Sequence, residues 1–189
     1  MQTETTVIEA AIDVFVRFGA KKTTMADIAE AADVSRQTVY ALFGDKDGVI
    51  VASIRHVTDR SLTAARARLG GVSSLSSKLD IYFAETAEKS FELLQTAGDV
   101  EDLISGHNKA GKAEIGRSRQ RHKDLVSEIL EPYAGAIGRS GQSPADLANF
   151  TVTAAMAIKY SASDRAEFES LLLSLKRSVM CLAGPANDG

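Results

Sequence analysis

"TTMADIAEAADVSRQTVYALFGDKDGVI", residues 23 to 50, places its polar and apolar residues in a pattern that settles the local fold. Thr24 stands three positions before Asp27, which predicts a helix start with Ile28 and Ala32 on the inner side. Ser35 predicts a second start, with Val39, Leu42 and Phe43 inward, and Asp45 a third, ahead of Ile50, Ile54, Val57 and Leu62. Only Asp33, Val34 and Ser35 separate the helix of 25–32 from that of 36–43, and so short a connection lets two helices cross steeply. The result is a helix-turn-helix. Val34, Val39 and Phe43 would anchor the second helix against the first and against Phe15, leaving Arg36, Gln37, Thr38 and Tyr40 facing out.

The same periodicity extends both ways. Upstream, Ile8, Ala11, Ile12 and Phe15 form a stripe at helical spacing that stops at Gly19. Downstream, "GGVSSLSS" at 70–77 marks a turn and a boundary. Beyond it come helical stripes at Leu75, Leu79, Tyr82, Phe83, Thr86, Leu93 and Leu94, then at Val100, Leu103, Ile104 and His107, then at Leu125, Ile129, Tyr133 and Ile137. Pro132 should divide the last of these. Pro144 sits in a tolerated first turn ahead of Leu147, Phe150, Ala154 and Ile158, and Phe168, Leu172, Leu175, Val179 and Leu182 close the chain. No run alternates as a half-buried strand would. The expectation is an all-α chain of about nine helices: a three-helix helix-turn-helix domain at 1–48, a connecting helix at 49–69, and a larger helical domain at 70–189.

With 44% hydrophobic residues in 189 positions, the chain can bury a core. "MQTETT" has no basic leader character, and no apolar run approaches the roughly 20 residues that span a bilayer. A cytoplasmic protein, with no membrane partner, is expected. The single cysteine, Cys181, excludes an internal disulfide and is expected to be a small buried hydrophobe. The net charge of −3 excludes a generally basic coat, and residues 1–68 hold nine basic against nine acidic side chains, so any anion-binding surface must be local.

In a helix-turn-helix, the N-terminal part of the second helix enters the major groove of DNA. Arginine can pair with guanine and glutamine with adenine there, while threonine can meet a thymine methyl or a phosphate. Ala11, Phe15, Gly19 and the stretch from Thr23 to Ile50 resemble, in order and spacing, the TetR-type bacterial transcriptional regulators, with their T-T-x-x-x-I-A, A-G-V-S, T-x-Y-x-x-F and K-x-x-L pieces. The resemblance covers roughly residues 8–55. It implies that Thr24, Tyr40 and Lys46 touch phosphates, that Arg36, Gln37 and Thr38 lie nearest base edges, and that Ser35 belongs to the same DNA-binding set. It further implies a one-component regulator, expected to be a repressor, that binds a pseudo-palindromic operator in double-stranded DNA as a homodimer and is released by a small-molecule effector, with 70–189 as the ligand-binding and dimerisation domain. There are three departures from the pattern. Asp33 replaces the turn glycine, Leu42 a common histidine or tyrosine, and Ala20 a common aromatic. Lys46 also stands at the end of its helix where the dipole disfavours a cation, for which a DNA phosphate is one reason and neutralisation by Asp45 and Asp47 another.

Tyr82, Phe83, Phe91, His107, Asn108, His122, Tyr133, Met156 and Lys159 are candidates to line an effector cavity, and equally for an ordinary helical core. Thr151, Thr153, Ala154, Ala155 and Ala157 are small enough for a second helix to approach, which makes Phe150, Ala154, Ile158, Leu172, Leu175 and Val179 candidates for a dimer interface. "GRSRQRHKD" at 116–124 spreads its charges around a helix and is expected to be solvated. His56, His107 and His122 lack metal-ligand spacing, and no nucleophile or phosphate-loop motif occurs, so neither catalysis nor a metal or other cofactor is expected. The competing reading is a helical ligand-binding or scaffold protein whose helix-turn-helix is only architectural, supported by the neutral first 68 residues.

Overall fold

The computed structural model describes residues 2–95 and 109–184. The short helix expected over 100–107, with His107 and Asn108, lies outside the described residues. All regular structure among the described residues is helical: α1 (Gln2–Phe18), α2 (Met25–Ala31), α3 (Arg36–Phe43), α4 (Lys46–Leu69), α5 (Leu75–Phe83), α6 (Lys89–Gln95), α7 (Lys109–Leu130), α8 (Ala134–Gly138), α9 (Pro144–Ser161) and α10 (Arg165–Ala183). A π-helical turn, Ala84–Glu88, joins α5 to α6, and Pro132 sits in a 3₁₀ turn, Glu131–Tyr133, that divides α7 from α8 as expected.

The chain forms two compact units, and the division falls inside α4, after Arg60, rather than at the glycine-serine turn. The first unit holds α1 to α3, the first part of α4 and α7 as far as Ser118. Its core joins Val7, Ala11 and Phe15 of α1 to Ile28, Ala29 and Ala32, Val39 and Val49. Glu114 of α7, 4% exposed, accepts from Arg55 of α4 and from Arg117, and these bonds hold its carboxyl below the ordinary range.

The second unit's core takes Leu62 and Ala65 of α4, Leu75, Leu79, Tyr82 and Phe83 of α5, Phe91, Leu125, Val126, Ile129 and Leu130 of α7, and the inner faces of α9 and α10. Phe91 stacks on Phe168 with centroids 4.2 Å apart. Glu85 of the π turn is 4% exposed and accepts from Lys89 and Arg68, which hold it below the ordinary range.

Four expectations about facing are corrected. Leu172, Leu175 and Val179 are at most 6% exposed and belong to the chain's own core, so they present no surface to a second copy. Periodicity identified the face they share but not that α5 and α9 cover it. The large apolar groups left exposed on α9 and α10 are Phe150, Tyr160, Leu171 and Leu173. Cys181 is exposed, two residues past buried Val179 and therefore on the opposite side of α10. Leu42 is 41% exposed: α3 buries its Val39–Phe43 side, and Leu42 is about 100° around the helix from Phe43. Neither Ile50, Ile54 nor Val57 of α4 is fully buried; Val49 is.

Candidate nucleic-acid interface

The α2–α3 connection is held by paired backbone groups. Asp33 takes φ +52°, the left-handed conformation otherwise suited to glycine, so the aspartate serves the turn. The Asp33 N–H donates to the carbonyl of Glu30 at 3.2 Å and that of Val34 to Ala29 at 3.0 Å, the double bond pattern that closes a helix C-terminus. Thr24 and Asp27 cap α2 reciprocally: the Thr24 N–H donates to Asp27 Oδ2 at 2.7 Å, and the Asp27 N–H donates back to Thr24 Oγ1 at 3.3 Å. Those bonds from Thr24 lower the Asp27 pKa, with a smaller contribution from the Arg36 guanidinium. Ser35 caps α3 by accepting from the Thr38 N–H at 3.0 Å, and its hydroxyl meets that of Thr38 at 2.8 Å.

Of the seven residues singled out in the sequence, Arg36, Gln37 and Tyr40 are exposed on α3, Tyr40 by 51%. Thr24, Ser35 and Thr38 are engaged in the caps just described. Lys46 is placed differently from either sequence-based expectation: its ammonium donates to the carbonyls of Ala20 at 2.9 Å, Lys21 at 3.3 Å and Thr23 at 3.0 Å. The buried Thr23 hydroxyl donates to Gly19 O at 2.7 Å. The carbonyls of 19, 20, 21 and 23 thus all have partners, and the α1–α2 connection is pinned to the start of α4.

Gly48 went unremarked in the sequence. It donates to the capping carboxylate of Asp45 at 2.8 Å, and a Cβ there would stand 2.0 Å from the Phe43 carbonyl oxygen. Backbone thus approaches backbone at the α3–α4 corner, and a glycine in a helix's first turn is the signal that could have marked it.

In the second unit, the structure brings together two of the candidate effector residues. Tyr82 OH lies 3.2 Å from His122 Nδ1, and the rings meet edge to face at 6.0 Å. Phe83 packs edge-on to Tyr82, whereas Phe91 is occupied by its stack on Phe168. Tyr133 and Met156 are half-buried against the same core. Among the described residues no group of His, Cys, Asp and Glu converges as metal ligands, and no helix is long and apolar enough to cross a membrane.

A family model described as bacterial regulatory proteins, tetR family, matches residues 7–52. The HTH-type transcriptional regulator BetI of Paraburkholderia phymatum is 32% identical over 139 residues, covering 71% of this chain and 68% of that protein. BetI of Burkholderia thailandensis is 42% identical over 62 residues, 33% of this chain; the match spans only 31% of that relative's length. Over nearly the whole chain the fold is shared with the fatty acid degradation regulator FadR from Bacillus halodurans (TM-score 0.76, 15% identity, 99% of this chain and 97% of that one). A putative TetR-family transcriptional regulator from Rhodococcus sp. is similar in fold (TM-score 0.74, 18% identity, 97% of this chain and 100% of that one). On the match to its N-terminal helices and the likeness to BetI of Paraburkholderia phymatum, the chain belongs to the tetR family of bacterial regulatory proteins.

Proposed function

We propose that the protein is a cytoplasmic one-component transcriptional repressor that binds a pseudo-palindromic operator as a homodimer and is released by a small molecule bound in its second unit. The observation that carries this reading is the state of α3. Arg36, Gln37 and Tyr40 stand exposed on its first turns, while the turn before it and the caps on either side are bonded. A rigid frame presenting flexible base-reading side chains is what major-groove recognition uses. Phosphate contacts, by contrast, fall to few groups, consistent with nine basic side chains in the first 68 residues.

For the dimer, α9 and α10 offer Phe150, Tyr160, Leu171 and Leu173 as exposed apolar groups, with Ala154 and Ile158 half-buried beside them. Release requires the effector to prefer the form in which the two reading helices do not match the half-sites, because equal affinity for both forms shifts nothing.

The test is retention of genomic DNA fragments by the purified protein, followed by sequencing. A shared palindromic element is expected. Arg36→Ala and Gln37→Ala should each cost about 1–3 kcal/mol on that element and relax one base position per half-site. If no sequence is enriched, the helix-turn-helix is architectural and the regulator reading is lost.

A further inference from the structure

We infer that the operator presents thymines to one side of α3, where the Thr38 methyl, Ala41 and Leu42 read their C5-methyl groups. The inference rests on the DNA-reading role of α3 proposed above and adds to it the base that this side selects.

Val39 is fully buried and Phe43 half-buried, and these two set the inner side of α3. Counted from Val39 at about 100° per residue, Arg36, Tyr40 and Gln37 fall at about 60° to 160° around the helix in one direction, and Leu42, Thr38 and Ala41 at about 60° to 160° in the other. The outward surface therefore has two halves. One carries a guanidinium, a phenol and an amide, the groups that hydrogen-bond to base edges and phosphates. The other carries no charge, and its residues are spaced i, i+3 and i+4, so they make one continuous patch. Ala41 is exposed, and Leu42 is 41% exposed. The Thr38 hydroxyl is held at 2.8 Å by Ser35 Oγ within the helix cap, so the group that Thr38 has left to offer is its methyl.

Exposed apolar bulk is concentrated on this helix. Among the described residues of the first unit the large apolar groups left exposed are Phe18, Tyr40 and Leu42, and two of these three belong to α3. Leu42 adds nothing to the core, yet the major groove holds a partner for it. The C5-methyl of thymine is the only apolar group that the four bases display there, and it packs against alanine, the threonine methyl and other apolar side chains. Eight residues make α3 about 12 Å long, close to the width of the groove, so its last turn stays within reach of base edges as its first does. Hydrogen-bond pattern is read on one half of the helix and methyl groups on the other.

The experiment uses the full chain and two pools of randomised duplex DNA, one containing thymine and one containing uracil in its place, which differ by the C5-methyl alone. Selection from the thymine pool should enrich an element with thymine at fixed positions of each half-site. In duplexes of that element, uracil at one or two of those thymines should weaken binding about fourfold, the worth of one buried carbon, and about fifteenfold when the symmetry-related thymine is replaced too. The thymine-to-uracil ratio should fall toward unity in at least one of Ala41→Gly, Leu42→Ala and Thr38→Ser, the last of which keeps the hydroxyl on Ser35 and removes only the methyl. Arg36→Ala should weaken binding and keep the ratio. Each ratio is taken within one variant, so a general loss of affinity or of helix stability does not imitate the effect. An element indifferent to uracil at every position, a ratio that survives in all three variants, or one lost equally in Arg36→Ala overturns the methyl reading and leaves the regulator reading standing. No enrichment from either pool overturns the regulator reading, and the methyl reading with it.

Discussion

Lys46 illustrates how a single side chain can meet a need that the sequence does not display. A cation in the first turn of α4 opposes the helix dipole, and three carbonyls from the α1–α2 connection provide the compensating negative ends. Lys46→Met should therefore lower stability to urea by about 1–3 kcal/mol. The salt slope of DNA binding should match that of the parent, because no phosphate contact is lost. A slope reduced by about one per phosphate contact would return Lys46 to the phosphate role implied by the family resemblance. The convergence of three carbonyls 23 to 26 residues upstream is a tertiary fact, invisible to spacing rules. His122 makes the second prediction at this scale. Its folded pKa of about 4 lies below its ordinary 6.5, so unfolding takes up a proton between those values. Stability contributed by the neutral ring is complete above the ordinary value and is lost as pH falls toward 4. His122→Gln should flatten the stability curve over that window by up to about 3 kcal/mol, measured by urea unfolding at stepped pH.

At the scale of the element, two glycines inside helices give opposite expectations. Gly48 faces the Phe43 carbonyl, so Gly48→Ala must open the α3–α4 corner and should destabilise the first unit by several kcal/mol, roughly the scale of a buried backbone clash. Gly116 of α7 has nothing within 4 Å of a built Cβ, so Gly116→Ala should stabilise by about 1 kcal/mol. Thermal unfolding of the two variants beside the parent checks both, and a neutral Gly48→Ala would mean that the corner yields easily. The elements themselves were largely legible because helix starts are written locally: Thr24 with Asp27, Ser35 with the N–H of Thr38, and Asp45 with that of Gly48 all lie within one turn. Facing was less legible. Val39 and Leu42 are compatible with one stripe, but α3 has only eight residues and its neighbours cover just one side.

For the whole molecule, α9 and α10 carry four of the large apolar groups left exposed among the described residues, Phe150, Tyr160, Leu171 and Leu173. Phe150 and Leu173 are 49% and 46% exposed, and a second copy of the same surface is the partner that a two-fold regulator would supply. Leu173→Glu should give monomers by light scattering with an unchanged circular dichroism spectrum, and should weaken operator binding far more than binding to a half-site. An unaltered mass would move the dimer contact away from this surface. The sequence pointed to these two helices and, on α9, to Phe150, Ala154 and Ile158, but on α10 it chose Leu172, Leu175 and Val179, the buried set, because a periodic stripe has the same appearance whether its cover comes from within the chain or from another copy.

Leu75, Leu79, Phe83, Ala87 and Phe91 are all buried, at a strict spacing of four. On an uninterrupted α-helix each step of four advances about 40°, so the stripe would wander some 160° and carry Phe91 away from Phe168. The π turn, with close to one more residue per turn than its neighbours, takes up about 100° of that drift. Seen as bookkeeping of phase, it is a one-residue insertion that the core has accepted. Loss of Ala84 would convert 84–88 to ordinary α-helix and leave Phe91 on Phe168, whereas loss of Thr153 from the middle of α9 would rotate the rest of that helix by about 100°. The segment beside Tyr82 is thus a place where the chain can change length without changing the fold of the second unit's core.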